Sequence, residues 1–102
     1  MAQRWIDDYG KRVIEKVYEI PSGWIWLVTK QTEKEKKKGL TCGLVKIYEA
    51  EWGPIEVKDI EGMMKDKNSN PMNRPVEVFS DILPCTLAEL FEKTPVSSYF
   101  RE

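Results

Sequence analysis

Histidine is absent from this chain of 102 residues. Its absence excludes every mechanism that needs an imidazole base or ligand, including Ser-His-Asp and Cys-His nucleophiles. Cysteine is scarce: Cys42 and Cys85 lie far apart and form no Cys-x-x-Cys pair. Two thiols without an imidazole argue against a zinc site. We therefore expect no metal and no cofactor, and two separate free thiols, with a single disulfide as the alternative.

The chain also lacks a phosphate-binding loop and a well-placed pair of catalytic carboxylates. The segment 39–43 contains neither GxxxxGK nor GxGxxG, the spacings that cradle phosphates. Adjacent residues of a helix do not share a face, and carboxylates among exposed lysines are not activated by burial. These arguments apply to the acidic pairs Asp7 with Asp8 and Glu33 with Glu35, and Asp59 is better explained as a helix cap. We expect a protein that is not an enzyme.

Long apolar runs are missing as well. The longest, at 24–28, has five residues, whereas a membrane helix needs about 20. The first nine residues are polar and acidic, without the apolar core of a secretory signal. Sixteen Lys and Arg against seventeen Asp and Glu give a net charge of −1, which excludes a global positive field for polyanions. We expect no membrane partner and a cytoplasmic location inside the host cell.

Several segments do carry strand patterns. A turn at 21–23 joins the alternating segment 13–20 to the aromatic and β-branched segment 24–29, which predicts a β-hairpin. Further strands are expected at 40–48, 55–57 and 76–79. The predicted class is α+β: one small domain, 1–102, with an antiparallel meander of four or five strands and short helices on one face.

Helix signals are short and local. A short amphipathic helix is expected within residues 3–12, and Asp59 is expected to cap another over 60–65. Thr86 and Glu89 have the spacing of a capping box that opens a further helix. The sequence thus predicts three short helices around the sheet.

An internal echo raises the question of a repeat. Pro-Ile-Glu-Val at 54–57 recurs as Pro-Val-Glu-Val at 75–78, and each is followed by an Asp-Ile pair and a helical segment. One interpretation is two similar strand–helix units, around 54–65 and 75–93, that meet at a cleft in one domain. The alternative is coincidence, because these residue types are frequent.

Aromatic residues are abundant, with four Trp, four Tyr and three Phe. One small core has limited room for so many rings, so we expect one or two to stay partly exposed as an interface, with core filling as the alternative. Trp52, in a predicted turn at 51–54, and the tail residues Tyr99 and Phe100 are the main candidates for exposure. The full set of candidate binding residues is Trp24, Trp26, Tyr48, Trp52, Phe79, Tyr99 and Phe100.

A lysine-rich segment supports an alternative function. Residues 30–38 hold five lysines against two glutamates, a local charge of +3, and the part at 32–38 has no apolar residue. We predict a solvated hairpin tip closed by Gly39. Such a tip can make weak, salt-sensitive contacts with nucleic acid. The residues concerned are Lys30, Lys34, Lys36, Lys37 and Lys38.

The order of several motifs resembles an uncharacterised domain family of plasmid and phage proteins, roughly over residues 13–92. The motifs are an aromatic strand, a Gly-led strand, an EWG-like turn and a strand before a "P…L-x-E" helix, found here at 23–26, 43–45, 49–53 and 76–90. The loop at 65–73 departs from the pattern. The resemblance implies a mobile-element origin, and it does not indicate any particular activity.

Composition suggests a second possible origin. Twelve Lys and twelve Glu accompany only two Gln and three Asn, which is the bias of hyperthermophile proteins. This suits a small protein of a filamentous virus of hyperthermophilic archaea. The expected function is non-enzymatic: binding of an unidentified protein or extended peptide, which exposed strand edges can accept by β-augmentation.

Overall fold

A single antiparallel sheet organises the molecule. The computed structural model describes residues 3–68 and 70–100. Within them the strands are β1 (Val13–Glu19), β2 (Ile25–Thr29), β3 (Leu40–Lys46), β4 (Ala50–Glu56), β5 (Val76–Val78) and β6 (Cys85–Thr86). The order is β4-β3-β2-β1-β5, and β6 also pairs with β1. The α+β class and the meander are confirmed, with the two-residue β6 as an additional strand.

Short helices fill the connections. They are α1 (Gln3–Tyr9), α2 (Glu33–Lys38), α3 (Val57–Lys65) and α4 (Leu87–Lys93), with 3-10 turns at Pro71–Asn73 and Pro95–Phe100. The capping box that opens α4 is confirmed: the Glu89 amide donates to Thr86 Oγ1 at 3.2 Å, and the Thr86 amide donates to Glu89 Oε1 at 3.3 Å. Each such cap satisfies helix-end donors that would otherwise lack a partner.

The sheet is covered on both faces. On one side of the sheet, Leu27 and Leu44 pack with residues of α1 and α4. We call this side the α4 face. On the other side of the sheet, Trp26 and Val45 pack with Ile60 of α3. We call this side the α3 face. The expectation of helices on one face is therefore wrong. The physical reason lies in β2, which is buried at all five positions and so needs cover on both sides.

The segment 51–54 is not a turn. It lies inside β4, and the chain reverses direction earlier, at 47–49. Glycine and proline are usual turn residues, but β4 is an edge strand that pairs only with β3. Proline is tolerated on an edge because its missing N–H can face away from the neighbouring strand. The position at the edge of the sheet therefore overrides the local turn signal.

The segment 32–38 lies at the tip of a hairpin, as predicted, because it connects the antiparallel strands β2 and β3. Its helical structure was not predicted. It forms α2, with no buried residue, which begins at the Thr32 cap and ends at Gly39 with φ 68°. Glu35 completes a capping box with Thr32, with donor–acceptor distances of 2.9 and 3.1 Å. The Thr-x-x-Glu spacing is the same as at Thr86 and Glu89. A capping box and charge pairs along the helix are therefore enough to stabilise this short exposed helix.

Asp59 does not cap α3. The helix begins two residues earlier, at Val57, and its cap residue Glu56 makes no side-chain cap hydrogen bond. Val57 and Ile60 are buried against the α3 face. Burial of these side chains, rather than a cap, therefore determines where α3 begins.

The two echoing segments occupy different positions in the sheet. β4 and β5 stand at opposite edges of the sheet, while α3 and α4 cover opposite faces. Glu61, Met64 and Lys65 of the segment 54–65 nevertheless line one open pocket with Glu77 of the segment 75–93. The interpretation as two similar units stays a prediction, with coincidence as its alternative.

The two cysteines are free thiols. Cys85 pairs with Ile14, which pairs with Thr29, and Thr29 Oγ1 donates to the Cys42 carbonyl at 2.7 Å. Two strands thus separate the cysteines. At about 4.8 Å for each strand step, they lie well beyond the roughly 7 Å limit for a disulfide. Burial raises the pKa of the Cys85 thiol, which makes it less reactive.

A cross-strand pair of glycines, Gly43 and Gly53, allows a test of packing. A Cβ on Gly43 would clash with the Leu27 carbonyl and lie 2.8 Å from Ile55 Cδ1, whereas one on Gly53 meets nothing within 4 Å. We expect Gly43→Ala to lower the free energy of unfolding by about 3 kcal/mol. Gly53→Ala should leave it unchanged or raise it by up to about 1 kcal/mol. Urea unfolding of both variants measures the difference, and equal effects would contradict the packing described here.

Candidate binding groove

Two of the predicted binding aromatics belong to the core. Trp26 is 7% exposed and Phe100 is 1% exposed. Phe100 stacks on Phe91 of α4, with ring centroids 5.8 Å apart. The expected exposure of Phe100 is therefore wrong. The 3-10 turn Pro95–Phe100 follows α4 and packs back against it, which buries the ring on the α4 face.

Trp52 is half-buried by a ring partner. Its indole lies parallel to the Tyr9 ring, with centroids 3.9 Å apart and an interplanar angle of 4°. The Arg12 guanidinium lies 5.3 Å from the indole centroid, in cation–π range. Arg12 also donates from Nη2 to Cys42 Sγ at 3.5 Å. Trp52 therefore joins α1 to the sheet edge and offers little free ring surface to a partner.

Tyr99 and Phe79 are also half-buried against the α4-face core. The Tyr99 hydroxyl donates to Glu19 Oε2 at 3.3 Å, and burial together with the Glu19 charge raises the Tyr99 pKa. Phe79 adopts φ 59°, a left-handed conformation that bulky residues rarely take. Both rings therefore have internal packing roles.

Tyr48 is the exposed ring among the predicted binding aromatics, and Trp24 lies beside it. Trp24 is half-buried and meets Trp26 edge-on at 6.2 Å and Tyr48 at 6.5 Å. Tyr48, in the bend at 47–49, is 87% exposed. These rings lie at the end of the sheet where the bend 47–49 joins β3 to β4, here called the β3–β4 end. Trp24 packs against the α3-face core, as does Ile47.

An open groove lies between the β4 edge and α3, here called the β4–α3 groove. Its volume is about 260 Å³. Apolar side chains dominate the floor, and Met63 at its margin is 37% exposed. Three carboxylates, Glu51, Glu56 and Asp59, line it without a cation among the lining residues. The other lining residues are Trp26, Val45, Ile47, Gly53, Pro54, Ile55, Ile60 and Met63.

Gly53 opens this groove. The register places Gly53 opposite Gly43, and Ile55 two residues later opposite Thr41. Since alternate strand residues share a face, Gly53 faces the same side as the buried Ile55. A Cβ built there meets nothing within 4 Å, so the missing side chain leaves space above the strand. Our sequence reasoning missed this position because it interpreted Gly53 as a turn residue.

Two of the groove carboxylates interact with each other. The pKa of the exposed Glu56 carboxyl is raised, mainly by a hydrogen bond with Asp59 and next by the charge of Asp59, and the Lys58 cation opposes this shift. A second negative charge nearby disfavours ionisation of a carboxyl group. The groove therefore concentrates negative charge where β4 passes into α3.

The lysines of the alternative function lie on an exposed surface. Lys36, Lys37 and Lys38 form the last turn of α2, and Lys30 and Lys34 are exposed as well. Lys36 Nζ lies 3.7 Å from Glu33 Oε1. The glutamates of α2 thus partly offset its positive charge. Nucleic-acid contact through these lysines stays a prediction.

Within residues 3–68 and 70–100, no three Cys, Asp or Glu side chains lie close enough together to hold a metal ion. None of the helices in the same part of the chain combines the length and the apolar character that crossing a membrane requires.

Trp52 and Tyr48 allow a comparison of packed and exposed rings. We expect Trp52→Ala to lower the free energy of unfolding by about 2 kcal/mol, because the stacked ring pair and its packing are lost. Tyr48→Ala should change it by less than about 0.5 kcal/mol. Thermal and urea unfolding measure both variants, and an unchanged Trp52→Ala protein would show that the Tyr9 stack contributes no stability.

The Glu56 carboxyl provides a pH-dependent test. Its pKa, followed by NMR, should lie above the ordinary glutamate range and fall towards that range in Asp59→Ala. Because the pKa is raised in the folded state, the stabilisation from this hydrogen bond is present at acid pH. It is lost as the pH rises through the Glu56 pKa. An identical Glu56 titration in Asp59→Ala would contradict the assigned cause.

Comparison with known proteins finds no match for this chain. No protein-family model matches the chain, and neither a curated protein nor a solved structure resembles it at a significant level. The resemblance to plasmid and phage proteins therefore stays a prediction, and any functional argument depends on the site itself.

Proposed function

We propose that this protein is a non-enzymatic binding protein whose β4–α3 groove receives an extended segment of another protein. The observation that carries the proposal is the open space above Gly53, which is bordered by apolar side chains. Concave, mostly apolar sites with a few polar groups are typical of ligand binding. An apolar side chain of the partner fills the space that the glycine leaves.

The shape of the groove favours an extended occupant. From Glu51 to Glu56 the strand advances five residues, or about 17 Å at the usual rise. The free edges of the sheet support β-augmentation less well. β4 contains Pro54, which has no N–H, and β5 has three residues. We therefore assign recognition to the groove rather than to backbone pairing at an edge.

Trp24 and Tyr48 extend the binding surface beyond the groove. Ile47, which lines the groove, directly precedes Tyr48 in the chain. Large rings supply contact area at low entropic cost, and Trp and Tyr are enriched among residues that dominate binding energy. A segment that leaves the groove at the β3–β4 end meets these two rings.

We further propose that binding takes place in the cytoplasm of the host cell, for a protein of a virus or mobile genetic element. The free thiols of Cys42 and Cys85 support a reducing compartment. The viral or mobile-element origin depends on the motif order and composition alone.

Filling the groove provides the test. A display library of random twelve-residue peptides is selected on the purified protein, and the affinities of the recovered peptides are measured by fluorescence anisotropy. Gly53→Phe should weaken binding at least about tenfold, or about 1.4 kcal/mol. Its side chain enters the open space and occupies the place of the partner's apolar residue.

Gly62→Phe is the matched control, because a Cβ on this exposed α3 residue also meets nothing within 4 Å and Gly62 does not line the groove. Circular dichroism and thermal midpoints confirm that both variants fold. Peptides that bind Gly53→Phe as tightly as Gly62→Phe, or the recovery of no binding peptide, would overturn the proposal.

A further inference from the structure

The charge distribution along the β4–α3 groove narrows the class of partner. Glu51 lies at one end of the β4 segment, and Glu56 lies at the other beside Asp59 on the first turn of α3. In the described part of the chain, 3–68 and 70–100, no Lys or Arg lines the groove. Complementary charge across an interface directs encounter and suppresses wrong partners. A neutral or acidic segment would bring no counter-charge to these carboxylates, among which Glu56 already has Lys58 nearby.

We infer that the groove recognises a basic segment in which one apolar residue lies between two cationic residues, Lys or Arg. This inference rests on the proposed function, since it names the chemistry of the partner for the same groove. The apolar residue occupies the space above Gly53. The two cations contact Glu51 at one end and the Glu56–Asp59 pair at the other.

The spacing of the cations follows from the strand. Gly53 is two residues from Glu51 and three from Glu56, which correspond to about 7 and about 10 Å along β4. A partner that runs extended along β4 advances by the same distance for each residue. Its cations therefore lie two residues from the apolar residue on one side, where both face the groove, and three on the other. At the second position an extended chain faces away from the groove, so a long Lys or Arg side chain has to reach back to it.

The acidic end of the groove is suited to a cation. Asp59 acts on the Glu56 carboxyl and raises its pKa, and Lys58, which like Asp59 belongs to α3, opposes that shift. Two carboxylates this close repel each other when both are ionised. A Lys or Arg of the partner placed between them removes that repulsion, which adds to the attraction at this end.

A second copy of this chain fits the groove less well. Its most basic segment, α2, has the sequence EKEKKK. That segment contains no apolar residue to occupy the space above Gly53, and it is helical rather than extended. The segment 11–16 does combine Val13 with Lys11 two residues before it and Lys16 three residues after it. Most of that segment belongs to β1, which pairs with β2, β5 and β6 and so is not free to lie along the groove of a second copy. The occupant is therefore a different polypeptide.

The test uses four synthetic peptides of nine residues. The basic peptide is Ser-Lys-Lys-Ser-Leu-Ser-Lys-Lys-Ser, which offers cations at both spacings in either chain direction. In the other three, Gln replaces every Lys, Glu replaces every Lys, or Ser replaces Leu. Affinities are measured by fluorescence anisotropy at low and at physiological salt, with the protein, Gly53→Phe and Gly62→Phe.

We expect the basic peptide to bind about tenfold or more tightly than the Gln peptide, and the Glu peptide not to bind. Rising salt should weaken the basic peptide and not the Gln peptide. Both Gly53→Phe and the loss of Leu should reduce binding of the basic peptide at least tenfold. Glu51→Gln should also weaken binding of the basic peptide. Glu92→Gln makes the same change of charge at an exposed position of α4 and should leave binding unchanged.

Each contrary result has a distinct meaning. If the Gln peptide binds as tightly as the basic one and Gly53→Phe blocks it, the charge inference is overturned and the proposed function stands. If the basic peptide binds Gly53→Phe undiminished, its attraction is non-specific and the inference fails. If no peptide of this series binds, the inference fails, and the display selection decides the proposed function separately. A dimer in sedimentation that Gly53→Phe dissociates would identify a second copy as the occupant and overturn the inference.

Discussion

The complete burial of β2 is the constraint on which the rest of the structure depends. All five of its residues are buried, so both faces of the sheet must be covered by other elements. Residues of α1, α4 and the Pro95–Phe100 turn cover one face, and those of α3 cover the other. A chain of 102 residues can supply this cover only with short helices, so each helix packs over part of a face rather than the whole of it.

The groove is a consequence of that incomplete cover. α3 buries Val57 and Ile60 against the sheet, while the neighbouring part of β4 carries glycine. The two facing glycines have opposite environments. Gly43 is closely packed because the Leu27 carbonyl and the Ile55 side chain occupy the space beside it, whereas Gly53 faces open space. One glycine therefore allows close packing inside the sheet, and the other leaves room at its edge for a partner.

Local sequence signals predicted elements wherever local energies dominate. The Thr86 and Glu89 capping box and the central hairpin are present as expected, because caps, turns and β-branched runs act within a few residues. The same capping spacing at Thr32 and Glu35 was detectable, yet the lysine-rich composition outweighed it in our interpretation. The exposure of Phe100 was misjudged, and the ring partner of Trp52 was not predicted, because these contacts depend on tertiary packing against α4 and α1.

The sequence by itself determined the α+β class, most strand positions, the absence of imidazole chemistry and the lysine-rich surface. These properties depend on composition and on periodicity within single segments. Only the tertiary structure decided that helices cover both faces, that β4 continues through Gly53 and Pro54, and that three carboxylates line one groove. Those features arise from contacts between distant segments, and edge position and burial can override local propensity there.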